Sequence, residues 1–202
     1  MAPRLAAERT VVLALHWQVN VIRPEGFFGG MLSEPVRSSG VVERASRFHA
    51  AARAAGVPVV FTRFTVPEDE GDLVRNTAFM AAVGDAQESF RPDAPGSAII
   101  KEMADLGERD LVVDNQRLSG LSGGLPLRLA ELGADTLLLT GVATDLTVEQ
   151  TARHGTELGF TVHPVSDCVT AADPAAHRAS LAALDLATAG CLTAQEVLDR
   201  LG

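Results

Sequence analysis

Apolar residues follow two rhythms along this chain. Short runs rich in Val and Leu recur at 10–15, 58–64, 110–113, 135–140 and 160–165, with a brief sixth at 190–192. These runs predict strands. The near-continuous ones at 10–15 and 135–140 suit strands covered on both faces, as in a parallel sheet. Between them, helical spacing predicts helices over 41–55, 97–106, 122–132, 147–158, 174–189 and 193–201. Gly56, Gly133 and Gly159 close three of these stretches, where a helix commonly ends on a left-handed residue. Pro174 opens another, at a position whose N–H has no helical partner anyway. The alternation predicts a single α/β domain over 1–202. It is a doubly wound, mostly parallel six-stranded sheet with helices on both faces, a three-layer Rossmann-like arrangement. Ligands of such sheets sit beyond the carboxyl ends of the strands.

Two long segments break the rhythm, 19–39 and 65–95. The first holds Gly26, Phe27, Phe28, Gly29 and Gly30; the second holds Phe79, Phe90 and Arg91. Both follow strand ends. They read either as lids over a ligand site or as partner-facing or poorly ordered surface.

Composition narrows the function. The chain has 202 residues, 47% of them hydrophobic, enough for one sizeable core. A net charge of −9 repels phosphate backbones and argues against nucleic-acid partners. Two cysteines, Cys168 and Cys191, make neither a disulfide scaffold nor a metal-ligand pattern. Residues Met1 to Thr10 lack the apolar core of a signal peptide, and no apolar run approaches the ~20 residues of a membrane span. A cytoplasmic protein with no membrane partner is the expectation. Phosphate-binding glycine motifs are absent, so no nucleotide cofactor is expected. The histidines are scattered, so no metal is expected either. The expected partners are a small-molecule substrate and further copies of the chain, as a dimer or tetramer.

The segment Thr140-Gly141-Val142-Ala143-Thr144-Asp145-Leu146-Thr147-Val148-Glu149 carries most of the chemistry. A strand ends there in a Gly turn and feeds a helix N-terminus, which aims backbone N–H groups at one point. Such a junction can hold an oxyanion or mount a nucleophile. It resembles the nucleophile loop of the isochorismatase-like cysteine hydrolases, Gly-Val-x-Thr-x-x-Cys-Val. The likeness extends over nearly the whole chain. Leu13-Ala14-Leu15-His16-Trp17-Gln18 is similar to the family's first strand, which ends Ile-Asp-Met-Gln, and Pro58-Val59-Val60-Phe61-Thr62-Arg63 to its second. Asp110 to Leu121 is similar to its third strand and the Lys-x-Arg-x-Ser-Ala-Phe segment. Phe160 to Cys168, with His177 later, is similar to its fifth strand and following helix.

The resemblance implies a strand order of 3-2-1-4-5-6 and a cis peptide after the Val of the Gly-Val motif, here Val142–Ala143. It also implies an Asp that takes the thiol proton, a Lys that supports the negative charge, and a Cys nucleophile. These fall on His16, Asn115 and Thr147. None can do the family's thiol chemistry: that needs a group ionising near neutrality beside a cation. His16 reads as an acid–base group titrating near neutrality or as a buried structural His. Thr147 reads as a hydrogen-bonding residue of the first helical turn rather than a nucleophile, Asn115 as a ligand contact or a filler, and Asp145 as an N-cap. Arg117 keeps its motif position and can grip a carboxylate in bidentate fashion. Trp17, Gln18, Val142, Ala143 and Thr144 complete the substrate-binding candidates, with Trp17 stacking on ligand or packing under the first loop. Some family members bind a metal after the second strand; Phe64-Thr65-Val66-Pro67 offers no ligand there.

Two functions remain. One is an enzyme with a rewired, non-thiol site that performs acid–base hydrolysis, isomerisation or cyclisation on a small metabolite. The other is a catalytically inactive homologue acting as a binding or assembly subunit.

Overall fold

The computed structural model describes residues 4–201; the first residues of the Met1–Thr10 reading lie outside them. Five strands, β1 Thr10–Leu15, β2 Val59–Phe64, β3 Leu111–Asn115, β4 Thr136–Val142 and β5 Thr161–Thr170, form one sheet. The order is β3-β2-β1-β4-β5 and every neighbouring pair is parallel. The anticipated sixth strand is reduced to an isolated bridge between Val165 and Leu192. Gly190 turns at φ 94° just before it, and helix α8 begins at Ala194 just after, so too few residues stay extended to build a ladder.

Eight α-helices lie among the described residues: α1 Val19–Ile22, α2 Gly29–Ser39, α3 Val41–Ala54, α4 Ala78–Asp85, α5 Leu125–Glu131, α6 Glu149–Glu157, α7 Pro174–Ala187 and α8 Ala194–Leu201. Among the described residues no helix is long and apolar enough to cross a membrane. The expected helix over 97–106 is a short 3-10 turn, Lys101–Met103, preceded by extended chain. Gln18 bridges Ile99 there, with Val19 N–H on Ala98 O and Ile100 N–H on Trp17 O, so tertiary pairing overrides the local pattern.

The first of the two segments that read as loops is largely helical, and the second carries α4 and a 3-10 turn, Gln87–Phe90, within irregular chain. In α2, Leu32 and Val36 form a buried i, i+4 stripe despite Pro35. Gly29 is required at its start, because a Cβ there would lie 2.4 Å from the carbonyl oxygens of Arg23 and Pro24. In α4, Thr77 caps the helix by accepting from Met80 N–H at 3.1 Å.

The sheet divides the core by strand parity. Val12 and Ala14 of β1 face a cluster with Phe48 of α3 and Val197 of α8; Val11, Leu13 and Leu15 face one with Leu129, Ala152 and Leu184 of α5, α6 and α7. Each fully buried side chain of this kind contributes about 1.5–3 kcal/mol. A third cluster, Phe64, Val66, Met80, Val83 and Phe90, roofs the carboxyl end of β2. Phe28 from the first long segment stacks on Phe79 from the second, ring centroids 5.5 Å apart and planes 10° from parallel. The two segments therefore meet over the strand ends.

Candidate active site

The site is built where β1 and β4 end side by side. Leu15 pairs with Gly141, and Gly141 adopts φ 142°. A Cβ at 141 would stand 2.3 Å from Leu15 O, so only glycine lets the strands stay in register there. The Val142–Ala143 peptide is cis, as the resemblance implies. The chain then enters a π-turn, Thr144–Val148, in which Val148 N–H reaches back five residues to Ala143 O at 3.1 Å. Such widened turns are common at functional sites. Ala143 takes the N-cap position without a side-chain bond, so Asp145 is not the cap.

His16 leaves β1 with φ 54°, a left-handed backbone that costs a non-glycine residue energy and is found preferentially at functional sites. Its N–H continues the ladder to Thr62 O, while Gln18 N–H closes a tight turn on His16 O at 2.7 Å. The ring is buried, edge-on to Phe64 at 6.0 Å. Its Nδ1 lies 3.1 Å from Thr147 Oγ1, which in turn donates to Leu118 O at 2.5 Å. A hydroxyl has one proton, and a carbonyl can only accept. Thr147 must therefore accept from His16 Nδ1–H, which leaves the lone pair of the neutral ring on Nε2. That Nε2 is buried and has no protein partner. Burial lowers the His16 pKa to about 4. His16 thus does not titrate near neutrality. It is a neutral base with its accepting nitrogen unoccupied.

The cavity beside it measures about 40 Å³ and is lined by His16, Thr147, Val142, Ala143, Leu118 and Leu146, with Val21, Phe28, Met31, Leu32 and Phe79 above. That space holds about one water molecule, whose share of liquid volume is ~30 Å³. Four other candidates are engaged in contacts of their own. Trp17 is buried, donates to Thr140 Oγ1 at 3.3 Å and packs edge-on against His49. Gln18 clamps β2: its Nε2 donates to Phe64 O at 3.0 Å and its Oε1 accepts from Phe64 N–H at 2.7 Å. Thr144 Oγ1 is 2.9 Å from His177 Nδ1. Asn115 is paired in register with Phe64, accepts from Arg117 N–H at 3.2 Å and leaves its Nδ2 buried without a partner. None of these four lines the cavity.

Neither thiol lines the cavity. Cys168 is buried in the core on β5, and desolvation pushes its thiol far up; burial and Asp185 push that of Cys191 to about 11. Among the described residues no group of three or more His, Cys, Asp or Glu side chains could hold a metal ion. The Thr65–Pro67 stretch after β2 carries no carboxylate or imidazole, so a metal of the kind some family members hold there has no fit.

The Thr147 hydroxyl is the post on which His16 stands. Thr147→Val should leave His16 Nδ1–H and Leu118 O without partners, at a cost of about 1–3 kcal/mol, while Thr147→Ser keeps both bonds. Urea denaturation midpoints check this; equal midpoints for wild type and Thr147→Val would contradict the hydrogen-bond assignment.

The Isochorismatase domain model matches residues 10–196. The chain belongs to the isochorismatase family. An uncharacterized isochorismatase family protein, YecD, of Escherichia coli O157:H7 is 27% identical over 206 residues, covering 98% of both chains. A cysteine hydrolase from Pseudomonas syringae pv. phaseolicola 1448A shares the fold with a TM-score of 0.85 at 23% identity, over 98% of this chain and 94% of that one. A pyrazinamidase/nicotinamidase from Streptococcus mutans UA159 gives a TM-score of 0.72 at 22% identity, over 91% and 99%. At these identities the structural likeness speaks to fold alone. In this isochorismatase-family chain, the residue that stands beside His16 is a threonine, and both cysteines lie off the cavity.

Phe28 and Phe79 come from the two segments that read as possible lids, whereas Met31 beside them carried no signal in the sequence. Sequence reasoning missed His154, which bonds Ser119 Oγ through Nδ1 at 3.0 Å. A signal for His154 was present: it follows Thr147 by seven residues, two helical turns along the same face.

Proposed function

We propose that this isochorismatase-family protein is an enzyme with a non-thiol site, in which His16 Nε2 acts as general base on a small metabolite of specialised metabolism. The observation that carries the reading is the buried, unpartnered Nε2 of a histidine held by Thr147 at the wall of a small, mostly apolar cavity. A neutral imidazole there can take a proton from water, from a hydroxyl, or from carbon beside a carbonyl. These correspond to hydrolysis, cyclisation and isomerisation. The apolar lining keeps bulk water from competing. Val142 and Ala143 flank the point where the substrate's reacting atoms would sit. The reading includes a homo-oligomer, dimer or tetramer, in the cytoplasm.

A second reading, a binding or assembly subunit without catalysis, is favoured by the cavity's size, about 40 Å³. Ligand pockets usually span about 300–1,000 Å³. For the first reading to operate, Phe28 and Phe79 must part.

The two readings are separated by following a panel of small amides, carbamoyl compounds, vinyl ethers and enolisable carboxylates by NMR. Turnover is expected for at least one compound and should persist after iodoacetamide has alkylated the accessible thiol. The nicotinamide-type amides should not turn over, because no low-pKa thiol faces the cavity. Loss of activity on alkylation would overturn the non-thiol mechanism. A panel left wholly unchanged would favour the binding subunit.

A further inference from the structure

Phe79, Leu118 and Leu146 line the His16 cavity on one side and a second, open chamber of about 990 Å³ on the other. The chamber runs along α6, where Gln150, Arg153, His154 and Glu157 recur at i, i+3, i+4 and i+7 and so share one face. Three of its polar groups have no settled protein role. The Arg117 guanidinium makes no hydrogen bond or ion pair among the described residues. Ser122 Oγ is buried and unpartnered. His154 has its Nδ1 engaged by Ser119 Oγ, which also accepts Leu121 N–H at 3.2 Å, and its Nε2 is left over. With Ser119 donating to Nδ1, that Nε2 carries the ring proton and is a donor.

The charges sort the ligand. Arg153 is paired with Glu149 at 2.8 Å, so its charge is compensated. Glu157 is exposed on the last turn of α6. Arg117 is the cation left for a ligand, on a chain of net charge −9. One planar guanidinium with two neutral donors matches a monoanionic carboxylate better than a phosphate dianion. Of the remaining walls, Val74, Phe79, Met80, Leu118 and Leu146 are apolar, with Asn76 and Thr77 beside them.

We infer that this chamber is the site for a carboxylate carried on a compact apolar body, held by Arg117, Ser122 and His154. The body reaches past Leu118 and Leu146 toward His16. This rests on the reading of the His16 cavity as the reaction centre and adds the substrate class to it: small apolar carboxylic acids. Arg117, Ser122 and His154 are binding residues and do not touch the reacting atoms.

Three probes of matched shape test it: benzoate, benzamide and phenyl phosphate, titrated into the full chain at low salt and followed by NMR. Benzoate should bind at least about tenfold more tightly than benzamide. Arg117→Gln should weaken benzoate about tenfold, the scale of one charge-assisted hydrogen bond, and leave benzamide unchanged. His154→Gln should weaken benzoate by a smaller factor and serves if Arg117→Gln proves unstable. Benzoate binding is read without turnover, so a failed catalytic reading and a failed carboxylate site give different results. Benzamide binding as well as benzoate, phenyl phosphate binding tenfold better than benzoate, or an Arg117→Gln protein that binds benzoate like wild type would each overturn the inference.

Discussion

Replacing His16 is expected to lower turnover by at least about 10², the lower end of what a positioned general base contributes. The side chain lines the cavity with an Nε2 that no protein group satisfies, and Thr147 fixes the ring so that Nε2 carries the lone pair. His16→Ala removes the base but leaves a β-carbon residue at φ 54°. His16→Asn is the better variant, because asparagine tolerates that left-handed conformation and its amide cannot take a proton. With the pKa lowered to about 4, the wild-type base is in its active form throughout the neutral range. The pH–rate profile should therefore be flat from pH 8 down to about 5 and fall only below. Turnover of the substrate found in the panel, with circular dichroism matched between variants, decides the matter. Equal rates would take His16 out of the mechanism and favour the non-catalytic reading; a rate that falls through pH 6.5 would show that the ring titrates normally and is not desolvated.

Acid should destabilise this protein well before its carboxylates are protonated. Burial lowers His16 to about 4; burial first, then Arg53, lowers His49 to about 3, with Asp110 pulling the other way. In the unfolded chain both rings titrate at about 6.5. Above that pH neither state binds the protons and the full stability is present. As pH falls through 6.5 the unfolded chain takes up two protons that the folded chain refuses, so stability drops until the folded values are reached. At about 1.4 kcal/mol for each pH unit between the folded and unfolded values, His16 alone accounts for about 3 kcal/mol and His49 for a comparable amount. His49 Nε2 lies 2.9 Å from Thr140 Oγ1 and its Nδ1 is buried without a partner, so no carboxylate is hydrogen-bonded to the ring. Urea midpoints should fall steadily between pH 6.5 and 4, and His49→Leu should flatten that slope. A midpoint that holds constant over this window would show that the rings are protonated in the folded state.

How much of this was written in the sequence depends on whether the cause was local. Strands β1 and β4 were legible because each is a near-continuous apolar run, and burial on both faces is the physical reason for that composition. The α/β class and the position of His16 at a strand end followed from the same pattern, and the cis bond at Val142–Ala143 from the family resemblance that the Gly-Val-Ala-Thr loop carries. The need for Gly141 arises from the register of β1 beside β4, which only the structure fixes to the residue.

The rest depended on what lies far away along the chain. The 97–106 segment has helical spacing, yet Ile99 bridges Gln18 and stays extended. Leu192 pairs with β5 for one residue only, because its neighbours begin another helix. The glycine-rich stretch before Ser39 folds as helix because Leu32 and Val36 find the core, a gain that local propensity does not contain. The proton position on His16 is the clearest case. Sequence alone leaves that ring free to be acid or base near pH 7. Its burial, and a threonine already committed to Leu118 O, 29 residues away in sequence, make it a base with one nitrogen open. Tertiary structure also placed Arg117, Ser122 and His154 around one chamber. They come from the β3–α5 segment and from α6, two parts of the chain that share no local signal.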